Sequence, residues 1–202
     1  MMKLHLIENY FIPATILDLG ANNGQWYSVA KKQWPLSEIF SIEANKDCEP
    51  YLSELNSNYK ICLLAKDNKQ YDYYKRISQP DQATGNSIYK ELTHFFQEGN
   101  YIIESIKGVT LTDLLANRTY DLIKLDTQGS ELDIISGGIE IIKRAKGVLI
   151  EVSLTQYNLN APLYDEVIQF MNNLNFKLVE ILDESHNHGS NQQDILFLNK
   201  NL

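Results

Sequence analysis

The chain has 202 residues, 44% of them hydrophobic and 22% charged, with a formal net charge of -8 at pH 7. That length and apolar content suit one full α/β core, so residues 1–202 are read as a single domain, and two domains would be cramped. The acidic balance gives no electrostatic reason to expect a nucleic-acid partner, because such binding rests on Lys and Arg neutralising phosphates.

Along the chain, Leu4, Ile7 and Phe11 have helical spacing and stop before Pro13, which predicts a short helix leading into a first strand over Ala14 to Leu19. The run Ile16-Leu-Asp-Leu-Gly-Ala-Asn-Asn-Gly-Gln-Trp26 then reads as a buried strand entering a glycine turn and a helix, with Asp18 just before the turn. Gly20 and Gly24 permit tight backbone geometry, and the helix turns its free N–H groups toward whatever occupies the loop. The G-x-x-x-G spacing departs from the dinucleotide fingerprint, and a fixed carboxylate there repels a pyrophosphate while attracting an ammonium such as that of S-adenosylmethionine. An ordinary strand-to-helix turn is the plainer alternative.

The helix from about Asn23 to Trp34 ends at Pro35, and the next strand, Ile39 to Glu43, places an acid about 20 residues past the glycine turn, where a first βαβ unit meets ribose hydroxyls. Capping of the next helix is the structural alternative for Glu43. A helix over Asp47 to Leu55 and a third strand over Tyr59 to Ala65 continue the alternation, which implies a mostly parallel sheet covered on both faces.

Between residues 69 and 107 the rhythm breaks. Two β-prone runs, Tyr71 to Ile77 and Tyr101 to Lys107, flank the polar stretch Gln79 to Ser87, an inserted strand pair around a loop that either covers a ligand or is a plain excursion. Thr110-Leu-Thr-Asp113 resembles a capping box opening a helix through Ala116, so Asp113 is structural. Tyr120-Asp-Leu-Ile-Lys-Leu-Asp126 is a buried strand whose alternation puts Lys124 and Asp126 on one face. A lysine there demands a carboxylate, so the two are either an active-site pair or a structural one.

The helix after Gln128-Gly-Ser-Glu131 carries a core stripe of Leu132, Ile135, Ile139 and Ile142, broken at Gly137-Gly138. Gly147 to Ser153 is the fifth buried strand, with Glu151 near its end; Asn160 and Pro162 open the last helix. Phe176 to Leu182 and Asp194 to Leu198 close the sheet as an antiparallel pair around a loop containing His186 and His188, whose polar flanks favour a solvated turn over a metal site. The clusters Lys66, Lys69, Lys75, Arg76 and Lys143, Arg144, Lys146 read as solvated faces. Cys48 and Cys62 are too few for a disulfide scaffold, no leader has a charged-then-apolar pattern, and no apolar run nears the roughly 18 residues that cross a bilayer, so a cytoplasmic protein is expected.

These pieces resemble the FkbM family of S-adenosylmethionine-dependent methyltransferases over roughly Ile16 to Leu198. The resemblance rests on Asp18-Leu-Gly-Ala-Asn-Asn-Gly24, Glu43, Asp121-Leu-Ile-Lys-Leu-Asp-Thr-Gln-Gly-Ser-Glu131, Ile150-Glu151 and Asp194-Ile-Leu-Phe197. Gln128 departs from the pattern, standing where the family commonly has an acid. The resemblance implies a Rossmann-like class I fold of seven strands, with S-adenosylmethionine held by Gly20, Ala21, Asn22, Asn23 and Gly24, its ammonium met by Asp18, its ribose by Glu43 beside Ala44, and its adenine near Asp67. It further implies a glycan, glycolipid or secondary-metabolite hydroxyl as acceptor, with Asp126 or Glu151 as base and Lys124 as its tuner. Magnesium held by Asp126 and Glu151 is a minor alternative to a metal-free site. A non-catalytic nucleotide or nucleotide-sugar module on the same sheet edge, or an interaction protein retaining the fold, are the competing classes.

Overall fold

Apolar residues line both faces of the central strands, and that double burial calls for helices above and below the sheet. The computed structural model describes residues 2–55, 57–78, 84–185 and 191–201; the expected ligand loop is therefore described only from Thr84 onward, and His186 and His188 lie outside the described residues. In chain order the strands are β1 (Thr15–Leu19), β2 (Glu38–Glu43), β3 (Asn58–Ile61), β4 (Gln70–Arg76), β5 (Tyr101–Lys107), β6 (Leu122–Leu125), β7 (Gly147–Ser153), β8 (Phe176–Ser185) and β9 (Gln192–Asn199). The α-helices are α1 (Gln25–Gln33), α2 (Glu49–Glu54), α3 (Leu111–Leu115), α4 (Glu131–Ser136), α5 (Ile139–Ile142) and α6 (Tyr164–Asn173).

Seven strands form one sheet in the order β3-β2-β1-β6-β7-β9-β8, while β4 and β5 make a separate antiparallel ribbon. The first five strands of that order run parallel, and β9 turns antiparallel against β7 and β8. The chain leaves β1 for β2 on one side and later returns to β6 on the other, so the sheet has its switch point between β1 and β6, above whose carboxyl ends ligands bind.

Alternation divides the core. Leu17, Leu19, Ile123, Leu125, Val148 and Ile150 pack on one face with α4, α5 and α6, and Ile16, Leu122, Leu149 and Leu196 pack on the other beneath Leu4, Ile7, Ala30 and Trp34. Asp121 has a structural task at the far end of the sheet: its Oδ2 accepts from Ala14 N–H at 2.8 Å while its Oδ1 meets Lys146 Nζ at 2.9 Å.

Some boundaries differ from the sequence pattern for local reasons. The third strand stops at Ile61, because Leu63 and Ala65 turn away to exchange backbone hydrogen bonds with Val109. The Asp47 to Leu55 helix is a 3-10 turn over Lys46–Cys48 followed by α2, which has Pro50 in its first turn. Gly137 and Gly138 split the expected stripe into α4 and α5; a Cβ on Gly138 would lie 2.4 Å from Leu111 Cβ. The ribbon is docked rather than projecting, since buried Tyr73 faces Glu43 and buried Lys75 pairs with Asp47 at 2.7 Å.

Candidate active site

The glycine turn after β1 is fixed by its surroundings. Gly20 has φ +80°, and a Cβ there would stand 1.9 Å from the Asp126 carbonyl oxygen, so β1 and β6 can end side by side only with glycine at this position. The Gly20 and Ala21 amides donate to the Ile42 carbonyl, and the Asn22 amide donates to Glu43 Oε2 at 2.7 Å. Glu43 Oε1 accepts from Asn45 N–H at 2.7 Å. Burial raises the Glu43 pKa, and these backbone donors work against the rise. Its carboxylate retains lone pairs for a further donor.

On the same sheet face as Ile16, Leu122, Leu149 and Leu196, alternation sets Asp18, Lys124, Asp126, Glu151 and Asp194. Asp18 and Lys124 are partners in the parallel register, as Glu151 and Asp194 are in the antiparallel one. Lys124 Nζ lies 3.2 Å from Asp126 Oδ2 and 3.7 Å from Asp18 Oδ1, with the Trp26 ring 5.7 Å away. Burial pulls the Lys124 pKa down, but Asp126, Asp18 and Asp194 outweigh it and hold the ammonium charged. Asp18 is completely buried and neither carboxylate oxygen has a hydrogen-bond partner among the described residues; its ion pair with Lys124 is the compensation.

Past β6 the chain makes a tight loop before α4. Glu131 organises it, its Oε1 accepting from Thr127 N–H at 2.7 Å, Thr127 Oγ1 at 3.1 Å and Gly129 N–H at 3.2 Å. Gln128 takes φ +56°, a left-handed conformation uncommon for its residue type. From there its Nε2 donates to Asp126 Oδ1 at 2.9 Å and to Glu151 Oε2 at 2.8 Å. Gln192 Nε2 donates to the same Glu151 oxygen at 2.8 Å. Because the amide faces two carboxylates, the nitrogen must be the atom turned toward them.

The acids in this row are driven apart. Burial would raise Asp126, but Lys124 and the Gln128 bond bring its pKa below the usual carboxylate value. Burial, reinforced by Asp126 and Asp194, puts Glu151 well above it. Burial with Asp126 nearby pushes Asp194 up to about 7. Such separation within one cluster is a mark of acid–base sites.

A cleft of about 330 Å³ runs over these carboxyl ends. Gly20, Asn22, Glu43 and Ala44 line one end of it, continued by Cys62, Leu63 and Leu64; Asp126, Gln128, Glu151 and Gln192 line another part. The ribbon and the segment after it supply the remaining wall, including Arg76, Glu91, Phe95 and Phe96. Of the expected site residues, Ala21 is buried outside the lining, and Asn23 and Gly24 line a separate shallow depression with Tyr51 and Leu55. Asp18 and Lys124 lie beneath the cleft floor, not in its lining. Asp67 is apart from the cleft: Lys69 and Tyr71 bond its carboxylate and hold its pKa at about 2.

Sequence reasoning gave no site role to Glu91, Gln192, Asp194 or Arg76, reading Arg76 as solvated surface and Asp194 only as part of the closing strand. Asp194 and Gln192 become visible only once β9 is laid against β7 in its observed register. Glu91 is buried in irregular chain that carries no period to read.

A family model described as the methyltransferase FkbM domain matches residues 18–178. No curated protein matches the sequence. Among solved structures, the chain is similar to the methyltransferase FkbM from Methylobacillus flagellatus KT, with TM-score 0.55 and 13% identity over 92% of this chain and 43% of that one. It is also similar to magnesium protoporphyrin IX methyltransferase from Synechocystis PCC 6803, solved with bound S-adenosylmethionine, with TM-score 0.55 and 5% identity over 96% and 74% of the two chains. A third likeness is to 1,6-didemethyltoxoflavin-N1-methyltransferase from Burkholderia thailandensis, solved with S-adenosylhomocysteine, with TM-score 0.52 and 10% identity over 98% and 76%. At these identities the shared property is the class I methyltransferase fold. The chain spans less than half the length of the Methylobacillus protein.

Proposed function

The chain belongs to the FkbM methyltransferase family, and on that premise we propose that it is an S-adenosylmethionine-dependent O-methyltransferase acting on a hydroxyl of a glycan, glycolipid or secondary metabolite. The observation that carries the reading is one cleft holding both the Gly20 turn with Glu43 and the Asp126–Gln128–Glu151 cluster. The residues fit the cofactor: the Gly20 turn lines the cleft beside Asn22, Glu43 offers lone pairs to ribose hydroxyls, and Ala44, Leu63 and Leu64 form an apolar slot suited to adenine.

When bound, S-adenosylmethionine supplies a methyl group on a sulfonium, a leaving group that needs no protonation. The chain's tasks are then alignment, exclusion of water and removal of the acceptor's proton. Asp126 and Glu151, bridged by the Gln128 amide, act as one titrating pair that receives this proton. Lys124 keeps Asp126 ionised. Asp18, below the floor, anchors Lys124 and so acts at one remove from the ligand. The donor set suits a metal-free pair: Asp126 oxygens meet an ammonium and an amide, Glu151 Oε2 meets two amides, and a cation would have to displace these donors.

The test is transfer of labelled methyl from S-adenosylmethionine to a panel of hydroxylated acceptors. Wild type is expected to label an oxygen, with Asp126→Asn inactive yet still binding S-adenosylhomocysteine. A fully active Asp126→Asn protein, or label on nitrogen or carbon, would overturn the assignment.

A further inference from the structure

We propose that the acceptor carries an oxyanion, a carboxylate or a phosphate, and that Arg76 is the residue that receives it; this deepens the methyl-transfer reading and rests on it. Five charged side chains line the cleft among the described residues: Glu43, Arg76, Glu91, Asp126 and Glu151. The four acids already have partners. Glu43 accepts from two backbone amides, Glu91 from the Thr93 hydroxyl, Asp126 from Lys124 and Gln128, and Glu151 from Gln128 and Gln192.

Arg76 differs. Its Nε donates to Ser78 Oγ at 2.8 Å and its guanidinium lies 4.1 Å over the Phe95 ring, so the group is held in place by one edge and one face. No carboxylate among the described residues pairs with it, so within that set the terminal N–H donors of its rigid, planar fork have no partner. Its backbone is pinned as well, the Arg76 amide donating to Asn86 Oδ1 at 2.9 Å, on a ribbon that Lys75 ties to Asp47 at 2.7 Å.

A positioned guanidinium with free donors matches a carboxylate or phosphate, which takes two parallel N–H bonds. In a cleft whose other ionisable lining residues among those described are acids, it also sets direction. Arg76 is the one cation in the lining among the described residues, so it draws an anionic end toward itself and leaves the uncharged, hydroxyl-bearing part of the same molecule to meet Asp126 and Glu151.

The test uses 15N-labelled full chain, with and without saturating S-adenosylhomocysteine, titrated with D-glucuronate, inorganic phosphate and, as uncharged control, D-glucose. The Arg76 Nε–Hε resonance is followed, and Arg76→Gln runs in parallel with cofactor affinity measured by calorimetry. Expected is a saturable shift with glucuronate or phosphate, none with glucose, and at least about tenfold weaker anion binding in Arg76→Gln while S-adenosylhomocysteine affinity is unchanged. Whichever anion binds identifies the source of the oxyanion. Equal anion binding by Arg76→Gln, or no anion binding to wild type, would overturn the proposal, and so would loss of S-adenosylhomocysteine binding in the variant, which would give Arg76 to the cofactor. Failure of wild type to bind S-adenosylhomocysteine sinks the parent reading instead, and the titration without cofactor still judges Arg76.

Discussion

Gln128 and Glu151, 23 residues apart in sequence, meet at 2.8 Å, the amide donating to the carboxylate from a left-handed backbone position. The same nitrogen holds Asp126 at 2.9 Å, so one neutral side chain bridges and orients two acids. An acid at position 128 would remove both donors and add a third carboxylate. Gln128→Glu is therefore expected to bind manganese more tightly than wild type, read by calorimetry with the chelated protein as baseline. Identical behaviour of the two proteins would refute the bridging role.

Lys124 is the hub beneath this pair. Replacing it with Met leaves Asp18 buried without a counter-charge, and breaking one side of such a buried pair costs roughly 3–5 kcal/mol. Urea unfolding of Lys124→Met should show a loss of that order. A change below about 1 kcal/mol, the scale of exposed pairs, would mean the ion pair is dispensable.

Asp194 gives stability a pH dependence. Its folded pKa, raised to about 7 by burial, Asp126 and Asp183 against the opposing pull of Lys124, lies above the unfolded value near 3.8. Between those values the folded state keeps a proton that the unfolded state has released. The contribution is fully present below about pH 4 and is lost as pH rises toward 7, with a slope of at most about 1.4 kcal/mol per pH unit. Asp194→Asn should flatten the melting temperature across that window; an unchanged profile would show that Asp194 does not titrate there.

Gly20→Ala tests the turn. The left-handed conformation alone costs about 1–3 kcal/mol for a residue with a side chain. The added Cβ, 1.9 Å from the Asp126 carbonyl, must also force β1 and β6 apart. Loss of both stability and S-adenosylhomocysteine affinity is expected, measured by thermal melt and calorimetry, whereas a variant with native values would mean the turn is not fixed as described.

What could be read from the sequence followed from local rules. Apolar runs alternating with helical segments mark the strands of the sheet, and alternation alone puts Lys124 and Asp126 on one face. The site's remaining members depend on distant pairings. Asp194 joins because β9 pairs with β7 in a register that brings it opposite Glu151, and Arg76 joins because the ribbon folds back over the cleft. In the sequence Arg76 sits among lysines and reads as solvated surface, and Asp67 looks like a cofactor residue until Lys69 and Tyr71 are seen to hold it elsewhere.

The most direct measurement is calorimetric titration of the intact chain with S-adenosylhomocysteine, beside Glu43→Ala. Saturable one-to-one binding by wild type, weakened at least about tenfold in a variant that melts as a folded protein, is the predicted result, since Glu43 would lose charge-assisted bonds to ribose. No binding to a folded wild-type chain, or equal binding by Glu43→Ala, would contradict the assignment of this cleft to the cofactor.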